Sequence, residues 1–208
     1  MKVVIYGIKS TAKIIAEILR DDQSFQVIGF LGNKLEKKKF KGKKIYLDIP
    51  FLGDEDLIPK LAINGVDGFI IGMGNIKLKE KLYNKFSNEG LKPISAISKN
   101  SIISIGAKID KGVAIGKGSI ISADVKIGEN TFIGNGTLIE VSSSISHNCK
   151  IGSKVLISPD VKIEKNVSIG NSSTILSSIS IGKNNAIKAG IVVSKNVKPK
   201  LTAKKWNN

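Results

Sequence analysis

From Ile97 to Val193 every sixth residue is aliphatic, and the positions around it repeat in step. Two places before most of these residues stands a small or β-branched side chain, as at Ser119, Val125, Thr131, Thr137, Ser143, Cys149 and Val155. The place after is often glycine, as at Gly116, Gly128, Gly134, Gly152, Gly170 and Gly182. A period of six fits neither the 3.6-residue helical repeat nor simple two-residue alternation. It predicts a hexapeptide parallel β-helix, with three hexads to a triangular coil and between five and six coils. Each aliphatic side chain then points inward onto its equivalent in the next coil. A coil buries apolar surface only against its neighbours, so the repeats must come in series. Glycine after the aliphatic position suits either an unusual φ or a close approach of two backbones.

The residues before this run carry a different pattern. Residues 2–6 read as a buried strand ended by Gly7, residues 25–31 as a second strand followed by Gly32-Asn33, and residues 66–71 as a third ending at Gly72-Met73-Gly74-Asn75. Ser10 or Thr11 is placed to cap a helix with Ile14, Ile15, Ile18 and Leu19 on one stripe. The acidic Asp54-Glu55-Asp56 opens another helix, and Asn75 caps one carrying Leu78, Leu82 and Phe86 that Gly90 stops. The Lys-rich residues 34–44 are expected to be an exposed loop, and residues 49–53 a short extended piece. This alternation predicts a parallel α/β, Rossmann-like domain over residues 1–94. The all-β parallel β-helix follows over residues 95–198, and residues 199–208 form a tail.

In a parallel sheet, ligands bind beyond the carboxyl ends of the strands. Three loops qualify: Gly7-Ile8-Lys9-Ser10-Thr11, Leu31-Gly32-Asn33 and Gly72-Met73-Gly74-Asn75. The first joins a strand to a helix N-terminus, a setting that favours phosphate. Only Gly7 of a G-x-G-x-x-G fingerprint is present, which argues for a nucleotide or nucleotide sugar over a dinucleotide-dependent oxidoreductase.

Composition narrows the picture. The formal net charge is +16, and Arg20 is the sole arginine among 33 basic residues. The lysines are scattered at outward repeat positions with few aromatics among them, so nucleic-acid binding is not expected. Such a surface still favours polyphosphates such as nucleotides or coenzyme A. The one cysteine, Cys149, rules out an internal disulfide. The chain opens without a charged-then-apolar leader and has no run of 18 apolar residues, so the expectation is a cytoplasmic protein without membrane insertion. The only histidine, His147, stands two places after the inward Ile145, hence at a turn or on the outer surface. Its imidazole suits proton transfer near neutral pH, and a single histidine excludes a multi-histidine zinc site.

Several stretches together resemble the bacterial sugar acetyltransferases that join a Rossmann-like domain to a left-handed β-helix, a group including UDP-4-amino-sugar N-acetyltransferases and sialic acid O-acetyltransferases. Residues 5–13 resemble the family's I-x-G-A-x-G-H-A-K, residues 49–53 its I-P-V-L-G, and residues 71–77 its I-G-N-N-x-x-R. Ser146-His147-Asn148-Cys149-Lys150-Ile151-Gly152 resembles S-H-D-C-x-I-G, and Ile157-Ser158-Pro159 resembles I-S-P. Residues 187–193 match a late I-x-A-G-x-V-V.

The resemblance implies a homotrimer using acetyl-CoA as co-substrate, bound along the β-helix between subunits, with Leu156, Ser158 and Gly190 beside it. It implies that His147, with Asn148 next to it, performs the catalysis as general base on a nucleotide-activated amino sugar. That nucleotide would lie on Gly7, Lys9, Ser10, Thr11, Gly32, Asn33 and Gly72. O-acetylation of a sialic acid or another sugar, and a β-helix that binds nucleotide sugar without catalysis, are the competing expectations. This chain departs from the family pattern in Asn148 for an acid, Ser10-Thr11 for Gly-His, Gly32-Asn33 for an acidic pair and Leu156 for a histidine. It also looks one hexad short after Asn171, and the closing G-V-P-A-K is missing.

Overall fold

The computed structural model describes residues 1–200. Residues 201–208, most of the expected tail, lie outside the described residues. The first domain is a sheet in the order β3-β4-β2-β1-β5-β6, made of β1 (Lys2–Tyr6), β2 (Gln26–Gly32), β3 (Lys44–Tyr46), β4 (Ile49–Asp54), β5 (Gly68–Ile71) and β6 (Lys92–Pro93). All neighbours run parallel except β3, which pairs antiparallel with β4. Alternate residues of β1 go to opposite faces, and both faces are covered. Val3 and Ile5 pack with Ile15, Ile18 and Leu19 of α1 (Ser10–Arg20). Val4 and Tyr6 pack with Ile58 and Leu61 of α3 (Ile58–Ile63) and Leu82 and Phe86 of α4 (Ile76–Asn88). Burial on two sides is why these strands read as continuous apolar runs.

Residues 34–40 correct the expected loop: they form α2 (Lys34–Phe40). Lys34, Lys38 and Lys39 face solvent and Lys37 pairs with the buried Asp54, while Asn33 and Glu36 close a reciprocal capping box, each side chain bonding the other's backbone N–H. Ser10 and Thr11 do not cap α1. The N-cap is Lys9, with no side-chain cap bond. Asn75 does cap α4, accepting from the Leu78 N–H at 3.2 Å.

From Ala96 onward the chain winds as a β-helix of two-residue strands, each paired in parallel with the strand 18 residues away. Three faces result. The first runs from Ala96–Ile97 to Ala186–Ile187, the second from Ile102–Ile103 to Val192–Val193, and the third from Lys108–Ile109 to Ser180–Ile181. The isoleucines of the hexads stack in one core, fully buried from Ile115 to Ile181 and partly open at Ile103, Ile109 and Ile187 near the ends.

Two different positions carry the corners. The glycine after the isoleucine serves close approach: a Cβ on Gly128 would stand 2.6 Å from the His147 nitrogen, and one on Gly134 2.5 Å from the Ser153 nitrogen. Positive φ belongs instead to the third residue after each isoleucine. Every sixth residue from Gly112 to Gly190 adopts it, including Asn130, Asn148, Asn166 and Asn184. Asparagine tolerates this region better than most residues, and its amide bonds locally.

The domains meet along two helices. Ala96, Ala114 and Phe132 of the first face join the α1 cluster. Helix α4 lies along the corner that carries the asparagines. Lys79 donates to the Asn130 carbonyl, Asn148 donates to Ile76 O at 3.0 Å, and Lys117 pairs with Glu17 of α1 at 3.4 Å.

Candidate active site

A cavity of about 400 Å³ opens where β1 and β5 end. Gly7, Lys9, Ser10, Thr11, Asn33 and Gly72 line it, as the strand-end argument requires; Gly32 does not. The floor is tight: a Cβ on Gly7 would lie 2.3 Å from Gly72 O, and Gly7 has φ +119°. Any side chain there would separate the two loops. Because Lys9 caps α1 without a side-chain bond, the first amides of that helix remain available beside the cavity.

Four wall residues escaped the sequence reading: Tyr6, Glu36, Leu78 and Lys150. Glu36 brings a carboxylate to the end of β2. Its Oε2 accepts from Asn33 N at 2.9 Å and occupies the space into which a side chain on Gly32 would point, 2.4 Å from that Cβ position. The Asn33-to-Glu36 spacing was the signal that would have found it. Tyr6 stays a neutral phenol, its pKa raised by burial and then by Glu55, Glu36 and Asp54. Lys150 comes from the β-helix, on the outward side of the first face, with Nζ 3.2 Å from a Cβ placed on Gly74.

His147 lies three residues before Lys150, exposed at the corner between the third and first faces. It borders an open groove of about 670 Å³ with Lys108, Asp110, Lys126 and Glu129. On its other side is a pocket of about 150 Å³ shared with Glu80, Tyr83 and Asn84 of α4 and with Glu129, Asn130 and Asn148. Helix α4 therefore stands between the two places. Its first turn lines the cavity and its middle faces the histidine.

Asn148 itself is buried, and its amide is committed. It accepts from Asn130 Nδ2 at 2.9 Å and donates to Asn166 Oδ1 at 2.7 Å as well as to Ile76 O. The column continues from Asn166 to Asn184 at 3.3 Å and from Asn184 to Lys200 O at 3.2 Å. The Cys149 thiol, buried beside it, is pushed up to about 11 by burial and bonds Glu164 O at 3.2 Å, so it is no nucleophile at neutral pH.

The residues expected beside a coenzyme lie elsewhere on the coil. Leu156 is on the second face, Ser158 follows it, and Gly190 forms a positive-φ corner before Val192. None of them lines the groove or the pocket at His147. Among the described residues no cluster of three or more His, Cys, Asp or Glu is placed to hold a metal, and no helix is long and apolar enough to cross a membrane.

Residues 2–86 match the family model for the PglD N-terminal domain, and residues 106–141 and 142–177 match that for the bacterial transferase hexapeptide (six repeats). Residues 160–195 match the hexapeptide repeat of succinyl-transferase. No curated protein matches the chain. Among solved structures it is similar to a perosamine N-acetyltransferase from Caulobacter crescentus, a histidine-to-asparagine mutant in complex with CoA and GDP-perosamine. The two are 24% identical with a TM-score of 0.74, over 97% of this chain and 92% of that one. It is also similar to the acetyltransferase domain of PglB from Neisseria gonorrhoeae FA1090 (17% identity, TM-score 0.65, 94% and 92% covered). A third similar structure is WeeI from Acinetobacter baumannii AYE (20% identity, TM-score 0.60, 97% and 96% covered). At these identities the likeness establishes a shared two-domain fold.

Proposed function

On the premise that this chain belongs among the bacterial hexapeptide transferases with a PglD N-terminal domain, we propose that it is an acetyltransferase. It moves the acetyl group of acetyl-CoA to the amine of a nucleotide-linked amino sugar. The observation that carries this reading is the reach of Lys150 into the strand-end cavity. The coil that holds the only histidine also supplies a cation to the nucleotide site, alongside Lys9 and the uncapped start of α1. The Caulobacter protein, crystallised with CoA and GDP-perosamine, supports the same pair of substrates.

The chemistry needs one mobile proton. The neutral amine attacks the thioester carbonyl and a C–N bond forms. His147 takes the proton that the nitrogen sheds, the C–S bond breaks, and the proton passes to the departing CoA thiolate. A backbone N–H at the corner would stabilise the oxyanion of the tetrahedral intermediate. Lys108 and Lys126 along the groove suit a polyphosphate.

The working unit is a homotrimer. Leu156, Ser158 and Gly190 lie around the coil from His147, so a coenzyme touching both sets bridges two subunits. The second face supports this, because its outward column Ile102, Ile120, Leu138, Leu156, Thr174 and Val192 is apolar at every place except Thr174, with Ile102 and Val192 exposed by 65% and 62%. The first face is covered by the α1 cluster at Ala96, Ala114 and Phe132, and the third carries Lys108, Lys126 and Lys162.

Release of free CoA, with acetyl-CoA and a panel of UDP-, dTDP- and GDP-amino sugars, tests the reading. Wild type should turn over and His147→Ala should lose about a hundredfold or more, within the range of general-base catalysis. An active His147→Ala protein refutes the mechanism.

A further inference from the structure

The residue after the histidine carries no charge here, and its amide is occupied by the asparagine column. A carboxylate nevertheless stands one coil away, at Glu129. Strand pairing aligns Ile127 with Ile145 before the corner and Phe132 with Lys150 after it. Both alignments set Glu129, 18 residues earlier, directly beneath His147. The corner between them keeps that register, with Asn148 N bonding Glu129 O at 2.8 Å and Gly128 pressed against the His147 backbone. Adjacent coils are about 4.8 Å apart, so equivalent side chains projecting from one corner are within hydrogen-bond reach. Glu129 and His147 border the same groove and the same small pocket.

The other charged and titratable groups around His147 do not take this part. Glu80 of α4 lies toward the coil above, accepting from Asn166 Nδ2 at 3.5 Å. Asp110 lines the groove a further coil below, Lys108 and Lys126 are cations on the third face, and Lys165 stands one coil above. Tyr83 Oη is 3.4 Å from Glu129 Oε2, and burial followed by the Glu129 charge keeps this phenol protonated. It is therefore a donor that steadies one carboxylate oxygen and leaves Oε1 free.

We infer that Glu129 is the positioning residue of His147. Its carboxylate accepts the N–H of one imidazole nitrogen, which fixes the tautomer and leaves the other nitrogen facing the acceptor amine. The same negative charge stabilises the imidazolium formed when the base takes its proton. This rests on the reading of His147 as general base, and it puts across the stack the acid that the sequence lacks beside the histidine.

The test compares wild type, Glu129→Gln and His147→Ala, with acetyl-CoA and the amino-sugar panel. Glu129→Gln should lower kcat about tenfold or more and leave KM for acetyl-CoA and acceptor unchanged, the mark of an interaction made in the transition state. Because the chain has one histidine, nitrogen-15 NMR of the imidazole reads its tautomer without overlap. Wild type should favour one tautomer, and Glu129→Gln should relax toward the mixture of a free imidazole. If Glu129→Gln stays within about twofold of wild type while His147→Ala is dead, the inference falls and the general base stands. If His147→Ala remains active, the general-base reading falls. In a preparation without turnover, an unchanged tautomer ratio in Glu129→Gln overturns the inference.

Discussion

Lys79 of α4 reaches across the domain boundary and donates to the carbonyl oxygen of Asn130, with both residues buried. Among the described residues no carboxylate pairs with it. Burial pushes its ammonium down to about 7, with Lys150 adding a smaller push the same way. Close contact between α4 and the β-helix is thus made with an amine that is partly neutral at physiological pH.

That gives stability a slope. From about 7 to the ordinary 10.5, the unfolded chain binds the Lys79 proton and the native chain does not. Stability therefore rises with pH across this window, and the cost of the buried charge is fully present below it. Urea unfolding of the wild type should show a higher unfolding free energy near pH 9 than near pH 7. Lys79→Met should flatten the difference. Parallel curves for the two proteins would dismiss the assignment.

Asn148→Asp restores the acid that resembling sequences carry after the histidine, and here it should do harm. Asp at this corner accepts but does not donate, so the bonds to Asn166 and Ile76 are lost and a carboxylate is buried beside Asn166 Oδ1. Thermal or urea unfolding should register a loss of about 3 kcal/mol or more, the scale of an uncompensated buried charge. Turnover per folded molecule should not rise. A stable and faster Asn148→Asp protein would contradict the column.

Lys150→Ala should weaken binding of UDP or GDP about tenfold, about 1.4 kcal/mol, which is the scale of a charge-assisted contact. Affinity for acetyl-CoA should be unchanged, because Lys150 borders the cavity and not the groove. Titration calorimetry with each ligand separates the two. Equal loss for both would mean that the substitution disturbs the coil as a whole.

Ile120→Glu puts a charge in the apolar column of the second face. Light scattering should find trimer for the wild type and monomer for the variant, with the circular dichroism of the fold retained. A trimeric variant would place the interface elsewhere.

The β-helix was legible because its physics is periodic. Each inward isoleucine could be named before any coordinates, and the glycines were correctly linked to tight packing, although positive φ turned out to lie two residues further on. Asn130, Asn148, Asn166 and Asn184 also recur at 18, a signal that is hidden when attention rests on hydrophobic hexads. The first domain's strands and the cap at Asn75 followed from local rules. Helix α2 did not, because a run of lysines looks like a solvated loop unless the box between Asn33 and Glu36 is seen. Lys79 sits on the same stripe as Leu82 and Phe86, yet a lysine in an apolar stripe is ordinarily read as facing water. Lys150 and Glu129 become site residues only through pairings 18 residues or a domain apart, which no local window contains. Asn33 and the loops at Gly7 and Gly72 reached the cavity as expected, while Gly32 is displaced from it by Glu36.

Eighteen residues make one coil, and this makes length a discrete variable for the C-terminal domain. Adding or losing a single residue inside a turn would rotate every later isoleucine out of the core and every later asparagine out of its column. Removing a whole coil beyond Lys165 would join like to like, since each corner there presents the same backbone to its neighbour. The segment after the histidine is therefore able to shorten or grow by whole coils while the corner at His147 keeps its geometry.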